Sequence, residues 1–123
     1  MKAVKRSWSD VRAETLSPGV IRRYVHGEQA MVAQFALRAG SGVPWHEHAN
    51  EQISVLLSGR VRFEFGSADA PDVMEAGAGD TIVIPGGLPH QVTVLEDARV
   101  IDVFAPPRED WIAAQPVEAP DAG

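Results

Sequence analysis

The chain has 123 residues, 45% of them hydrophobic and 23% charged, with a formal net charge of −6 and no cysteine. That length supports one domain around one core. The missing cysteines exclude disulfides and thiolate metal sites, and the acidic balance argues against nucleic-acid binding, which needs clustered Lys and Arg.

No apolar run reaches the length of a membrane span, and the basic start Met1 to Arg6 lacks the apolar run of a secretory signal. A cytoplasmic protein with no membrane partner is the expectation. The global charge leaves a small anionic substrate open, because a local cation outweighs a distant field.

In chain order, residues 1–10 form a polar N-terminal extension. Val11 to Leu16 alternates weakly and ends at Ser17-Pro18-Gly19, and Val20 to Val25 is rich in β-branched and aromatic residues. His26-Gly27-Glu28 reads as a turn carrying a solvent-exposed histidine. Met31, Ala33, Phe35 and Leu37 then alternate against Val32, Gln34, Ala36 and Arg38, a period of two that means a strand with one buried face. Ala39 to Gly42 breaks that strand, and Pro44 restricts the backbone beyond the break.

Further strands are expected at Gln52–Leu57, Arg60–Phe65 beyond a turn at Gly59, Asp72–Met74, Thr81–Ile84, Gln91–Leu95 and Val100–Phe104. Pro106 to Ile112 can hold one helical turn with Trp111 folding back onto the body. Residues 115–123, rich in Pro, Ala and acid, read as a disordered tail, so the domain spans residues 1–114. About nine or ten short strands with glycine turns indicate an all-β sandwich or small barrel.

The chemistry concentrates between two glycines. His46 and His48 are two apart and leave an extended backbone on one face, and Gln52 keeps their parity while Glu51 does not. A third histidine, His90, comes after Pro85-Gly86-Gly87-Leu88-Pro89. Imidazoles with an amide oxygen suit one divalent transition metal such as Zn, Ni, Fe or Mn, and disfavour Ca or Mg. Downstream, Asp102 and Phe104 share a strand face. An acid among apolar neighbours is costly to bury unless paired or functional, and a strand-end salt bridge with Arg99 or Arg108 is its bland explanation.

The frames Gly40-x5-His46-x-His48-x3-Gln52-x6-Gly59 and Gly79-x5-Pro85-x-Gly87-x2-His90 resemble the two cupin motifs. The resemblance implies a single-domain cupin, a double-stranded β-helix or jelly-roll barrel, with the metal inside. Two positions depart from the family pattern: its usual Glu is Gln52, and its usual Asn after the second motif is Val94.

Together with Asp102-x-Phe104-x-Pro106-x-Arg108-Glu109-Asp110, the pattern is similar to the KdgF type of cupin from pectin and alginate breakdown, over about Trp8 to Trp111. That resemblance implies metal ligands at His46, His48, Gln52 and His90 and catalytic roles for Asp102, Phe104 and Arg108. It also implies conversion of 4,5-unsaturated monouronates into linear 5-keto-4-deoxyuronate.

The residue types suit such a reaction, which needs a proton shuttle, a Lewis acid and a carboxylate clamp. Asp102 is the candidate acid/base, and Arg108 offers a planar fork for a carboxylate. Phe104 gives an apolar wall that raises the carboxyl pKa. Trp45 and Trp111 can add stacking surface, although core packing suits Trp111 better, and Arg60 and Arg62 read as solvated. The apolar row Ile53, Val55 and Leu57 opposite Gln52 calls for an N-terminal strand or a partner subunit packed outside it, and a homodimer is the expectation. The competing readings are a non-catalytic metal- or sugar-binding cupin and an iron-dependent dioxygenase.

Overall fold

The described residues form eight strands and one short helix: β1 Glu14–Ser17, β2 Val20–His26, β3 Met31–Leu37, β4 Gly42–His46, β5 Glu51–Phe65, β6 Asp72–Gly77, β7 Thr81–Ile84, β8 His90–Ala105 and α1 Glu109–Ala114. The structure, a computed structural model, describes residues 1–114. The tail expected at 115–123 lies outside the described residues. A single 3-10 turn, Trp8–Asp10, precedes the sheet.

All eight strands belong to one antiparallel sheet, ordered β1-β2-β3-β8-β5-β6, with β4 added to β8 and β7 to β5. Two strands carry the architecture because each is long enough to serve both halves of the barrel. The first part of β5, Gln52 to Val55, pairs with β7, and its second part, Arg60 to Phe65, pairs with β6. Likewise β8 pairs with β4 near His90 to Thr93 and with β3 from Ala98 to Phe104. The strands bend together, where the β5–β8 register shifts between Leu56 and Val61. Bulges of this kind keep a ladder hydrogen-bonded while turning its direction.

That bend corrects the strand boundaries. The segments expected on either side of Gly59 are one strand, as are those on either side of Glu96-Asp97. Gly59 sits at φ +79° and presses on the Asp97 carbonyl, so a Cβ there collides with backbone. Gly59 does redirect the chain, but inside a strand and not between two.

The segment around Pro44, where no strand is expected from the sequence, is strand β4. Pairing skips from Val43 to His46, so no ladder bond is asked of the proline.

The core is the inner face of this barrel. On β3, Met31, Ala33, Phe35 and Leu37 are buried while the intervening residues are half-buried, as the alternation requires. Leu56, Val61, Ile84, Val94 and Phe104 complete it with at most 2% exposure. Each such side chain contributes on the order of 1.5–3 kcal/mol by leaving water. Val94, where an Asn is usual, is therefore a core residue.

His26 is exposed at the end of β2 and its Nδ1 lies 3.0 Å from the Gly27 carbonyl, in keeping with a surface histidine. No helix among the described residues is long and apolar enough to cross a membrane.

Candidate metal centre and the cavity beside it

The fold brings the three motif histidines together from two elements. His46 ends β4, His90 opens β8, and the two are register partners across the ladder. Their rings lie 4.1 Å apart, with His48 5.1 Å from His90. The candidate ligand atoms of all three lie within 4.8 Å of one another. The loop carrying His48 is clamped to the second motif, because Gly87 N–H donates to the His48 carbonyl at 2.8 Å. Gly86 lets that approach happen: a Cβ there collides with the Ala49 carbonyl.

Each ring is oriented by a backbone carbonyl. Nδ1 of His46 faces Pro44 O at 2.8 Å, Nδ1 of His48 faces Asn50 O at 3.0 Å, and Nδ1 of His90 faces Leu88 O at 2.8 Å. A carbonyl only accepts, so each Nδ1 carries a proton, and in the neutral imidazole the lone pair is then on Nε2. Burial, above all, holds His48 below its ordinary pKa and pushes His90 down to about 4, which keeps both imidazoles neutral as ligands must be.

Two further observations fit a cation. Nε2 of His90 is buried with no hydrogen-bond partner. Nε2 of His48 lies 3.0 Å from Oε1 of Gln52. In this tautomer both are acceptors, and two lone pairs face one another unless a cation lies between them. Two ligands of one ion, each at about 2.1 Å and at a right angle, are roughly 3.0 Å apart. The three histidines can therefore hold a metal ion, and Gln52 is placed to join them.

Gln52 also does something that a glutamate could not. Its amide Nε2 donates to Ser54 Oγ at 3.1 Å, and Ser54 Oγ donates to Asp102 Oδ1 at 2.5 Å. The register explains this row: Gln52 pairs with Phe104, and Ser54 with Asp102. Asp102 is 9% exposed. Burial raises its carboxyl to about 6, with the Ser54 hydroxyl, the Gln52 amide and the Arg108 charge each pulling partly back. Neither Arg99 nor Arg108 makes a salt bridge with it; Arg108 pairs with Asp110 instead, through Nε at 2.9 Å and Nη2 at 2.7 Å.

These groups face a cavity of about 270 Å³ whose wall includes His46, Gln52, His90, Asp102, Phe104 and Arg108. It lies just below the drug-sized ligand range of roughly 300–1,000 Å³, which suits a smaller, monosaccharide-sized ligand. A second depression, about 340 Å³ beside Arg38, Asp97 and Arg99, has none of the histidines in its wall.

Trp111 on α1 lines the cavity and packs against Phe104, Tyr24 and Phe35 with ring centroids 5.0, 5.7 and 6.3 Å away. It serves both as packing and as cavity wall. Trp45 is not among the cavity-lining residues. Arg60 is half exposed and pairs with Glu75 at 2.7 Å, and Arg62 lies near Glu64.

Three residues of the site have no expectation attached to them in the sequence. Ser54 shares the inward parity of Gln52, which is the signal that points to it. Asn50 donates through Nδ2 to the carbonyls of Pro106 and Pro107 at 2.6 and 3.2 Å, tying the histidine loop to the segment that carries Arg108. Arg22 lines the cavity and is 7% exposed.

The chain belongs to the cupin family: residues 33–104, more than half of it, match the cupin domain. Among solved structures it is similar to KdgF from a Halomonas species, at 25% identity and a TM-score of 0.74, covering 84% of this chain and 94% of that one. An RmlC-like cupin from Shewanella frigidimarina shares the fold at 21% identity and TM-score 0.76, covering 89% and 96%. So does Bacillus subtilis oxalate decarboxylase, a protein with Mn(II) centres, at 23% and 0.76, although the match spans 94% of this chain and only 36% of that one. An uncharacterized protein of Streptomyces coelicolor is 27% identical over 90 residues, 72% of this chain and 82% of its own.

Proposed function

We propose that this cupin is a metal-dependent isomerase that opens and ketonises 4,5-unsaturated monouronates, the end products of pectin and alginate lyases, to linear 5-keto-4-deoxyuronate. The observation that carries the reading is a buried carboxyl, Asp102, hydrogen-bonded through Ser54 to Gln52 in the wall of a sugar-sized cavity shared with His46 and His90. The similarity to KdgF from Halomonas supports it.

The reaction moves one proton and breaks one ring bond. The Asp102 carboxylate takes the proton of the C1 hydroxyl as the C1–O5 bond breaks, leaving an aldehyde at C1 and an enolate oxygen at C5. The same carboxyl then delivers that proton to C4, and C5 becomes a ketone, so atoms balance without a co-reactant. A carboxyl near pKa 6 can both accept and donate at neutral pH. Ser54 holds the carboxyl in place, Phe104 keeps water from its apolar side, and Arg108 lends positive charge to the developing enolate. A divalent metal on His46, His48, Gln52 and His90 would supply Lewis acidity towards substrate oxygens.

The test mixes metal-loaded protein with a lyase-generated unsaturated monouronate and follows loss of the C=C absorbance. Turnover well above the spontaneous rate is expected, and an unchanged rate ends the reading. Arg108→Ala is expected to slow turnover by roughly 10²-fold or more at unchanged metal content; metal loss instead would mean a structural role.

A homodimer in the cytoplasm belongs to the same reading. Leu57 and Val83, 52% and 61% exposed on β5 and β7 beside half-buried Ile53 and Val55, offer a face for a second copy. Sedimentation of the wild type and a Leu57→Lys, Val83→Lys double variant checks it: the former is expected to be dimeric and the latter monomeric.

A further inference from the structure

Two buried polar atoms on residues of the cavity wall lack a hydrogen-bond partner: Nε2 of His90 and Nε of Arg22. The first is an acceptor and is accounted for by a cation. The second is a donor, on a guanidinium that is more than nine-tenths buried, and calls for an acceptor. Arg22 alternates with Val20 and Tyr24 along β2, on the face that turns to the core. Its neighbours hold the group firmly. Glu14 on β1 accepts from Nη2 with its two carboxylate oxygens at 3.2 and 3.3 Å, and the Trp111 ring covers the guanidinium at 4.0 Å. Nη2 and one face of the guanidinium are thereby taken, and Nε–H is left over.

Arg108 differs. Its Nε and Nη2 both go to Asp110, so its side-on fork is taken by the protein itself. The two arginines pack on the same tryptophan, at 4.0 and 4.6 Å, but only the Nε of Arg22 is without a partner.

We propose that Arg22 is the ligand-binding group that fixes the carboxylate in this cavity, so that the ligand class is a small sugar acid gripped at its carboxylate by Arg22 Nε–H. Arg108 is left to act on the reacting end. The assignment of the acid as a uronate rests on the function proposed above; recognition of a carboxylate does not. Charge makes the site tolerant of an anion, since each guanidinium carries its own carboxylate partner and a divalent ion on neutral ligands keeps its full charge. The pattern also accounts for an arginine held among core-facing residues where an apolar side chain would pack at lower desolvation cost.

Isothermal titration calorimetry of metal-loaded protein with galacturonate, which lacks the reactive double bond, reads binding apart from chemistry; its methyl ester is the neutral control. The wild type is expected to bind the acid in preference to the ester. Arg22→Gln should weaken the acid at least tenfold and leave the ester unchanged. Arg22→Lys, which keeps the charge and the packing stem but lacks the planar fork, should weaken it several-fold and serves if the Gln variant does not fold. Equal losses for acid and ester, unaltered affinity for the acid, or no binding by the wild type each overturn the proposal. A wild type that binds galacturonate through Arg22 yet leaves the unsaturated monouronate untouched overturns the reaction and keeps the carboxylate site. Turnover with an unchanged KM in Arg22→Gln does the opposite.

Discussion

Asp102→Asn is expected to lower kcat by roughly 10²- to 10⁴-fold, the range for removing a positioned general acid/base, while metal content stays at the wild-type level. The same variant should be more stable than the wild type in metal-free protein at high pH. The carboxyl has a folded pKa of about 6 against an ordinary 3.8. A raised carboxyl pKa means stability that is fully present below pH 3.8 and lost as pH rises through 6. Above that, the native state carries a charged, buried carboxylate whose cost is on the order of 1–3 kcal/mol. Asparagine removes that cost and still accepts from Ser54. Thermal melts in chelator at pH 4 and pH 8 read the effect: no difference at the lower pH, a Tm higher by several degrees in the variant at the upper. A variant destabilised at both would make Asp102 a structural group. Activity lost with stability gained is what a strained functional residue shows.

The second large effect concerns the metal. A chelator is expected to lower the wild-type Tm, because an ion at a thousandfold excess over its Kd stabilises by about 4 kcal/mol. His90→Ala should bind no metal above background and show no chelator-dependent shift. His90 is 1% exposed and has an unpartnered Nε2, and among the three candidate ligand histidines it is the fully buried one. Gln52→Glu separates two functions of one residue. Glutamate can still offer an oxygen to the ion, but it cannot donate to Ser54, the bond that Gln52 makes at 3.1 Å. Metal analysis should find the ion retained while turnover falls; if metal is lost and turnover of reloaded protein is normal, the Gln52–Ser54–Asp102 row has no part in the reaction.

The sequence made some parts of this legible and not others, for physical reasons. Period-two alternation revealed β3, since a strand with one buried face must alternate. The two glycine-framed motifs revealed the histidines, because their spacing is tied to a turn geometry. The long bent strands β5 and β8 were hidden: a bulge at Gly59 reads as a turn, since both need a glycine of positive φ. β4 was hidden behind Pro44. Arg22 was hidden by an inverted pattern, for Ile21 beside it is 37% exposed while the arginine is 7%. The carbonyls that set the three imidazole tautomers belong to the backbone and leave no trace in residue type. Gln52, by contrast, stood out as a departure in the sequence, and the structure connects that departure to Asp102 through Ser54.

The most direct measurement of the central claim is proton NMR of the reaction run in D2O. With metal-loaded wild type, the account predicts 5-keto-4-deoxyuronate formed well above the spontaneous rate, with early product carrying one deuterium at C4 on a single face, because one fixed carboxyl delivers it. Product appearing only at the spontaneous rate, or labelled equally on both faces, would contradict the assignment of Asp102 as the group that delivers the proton.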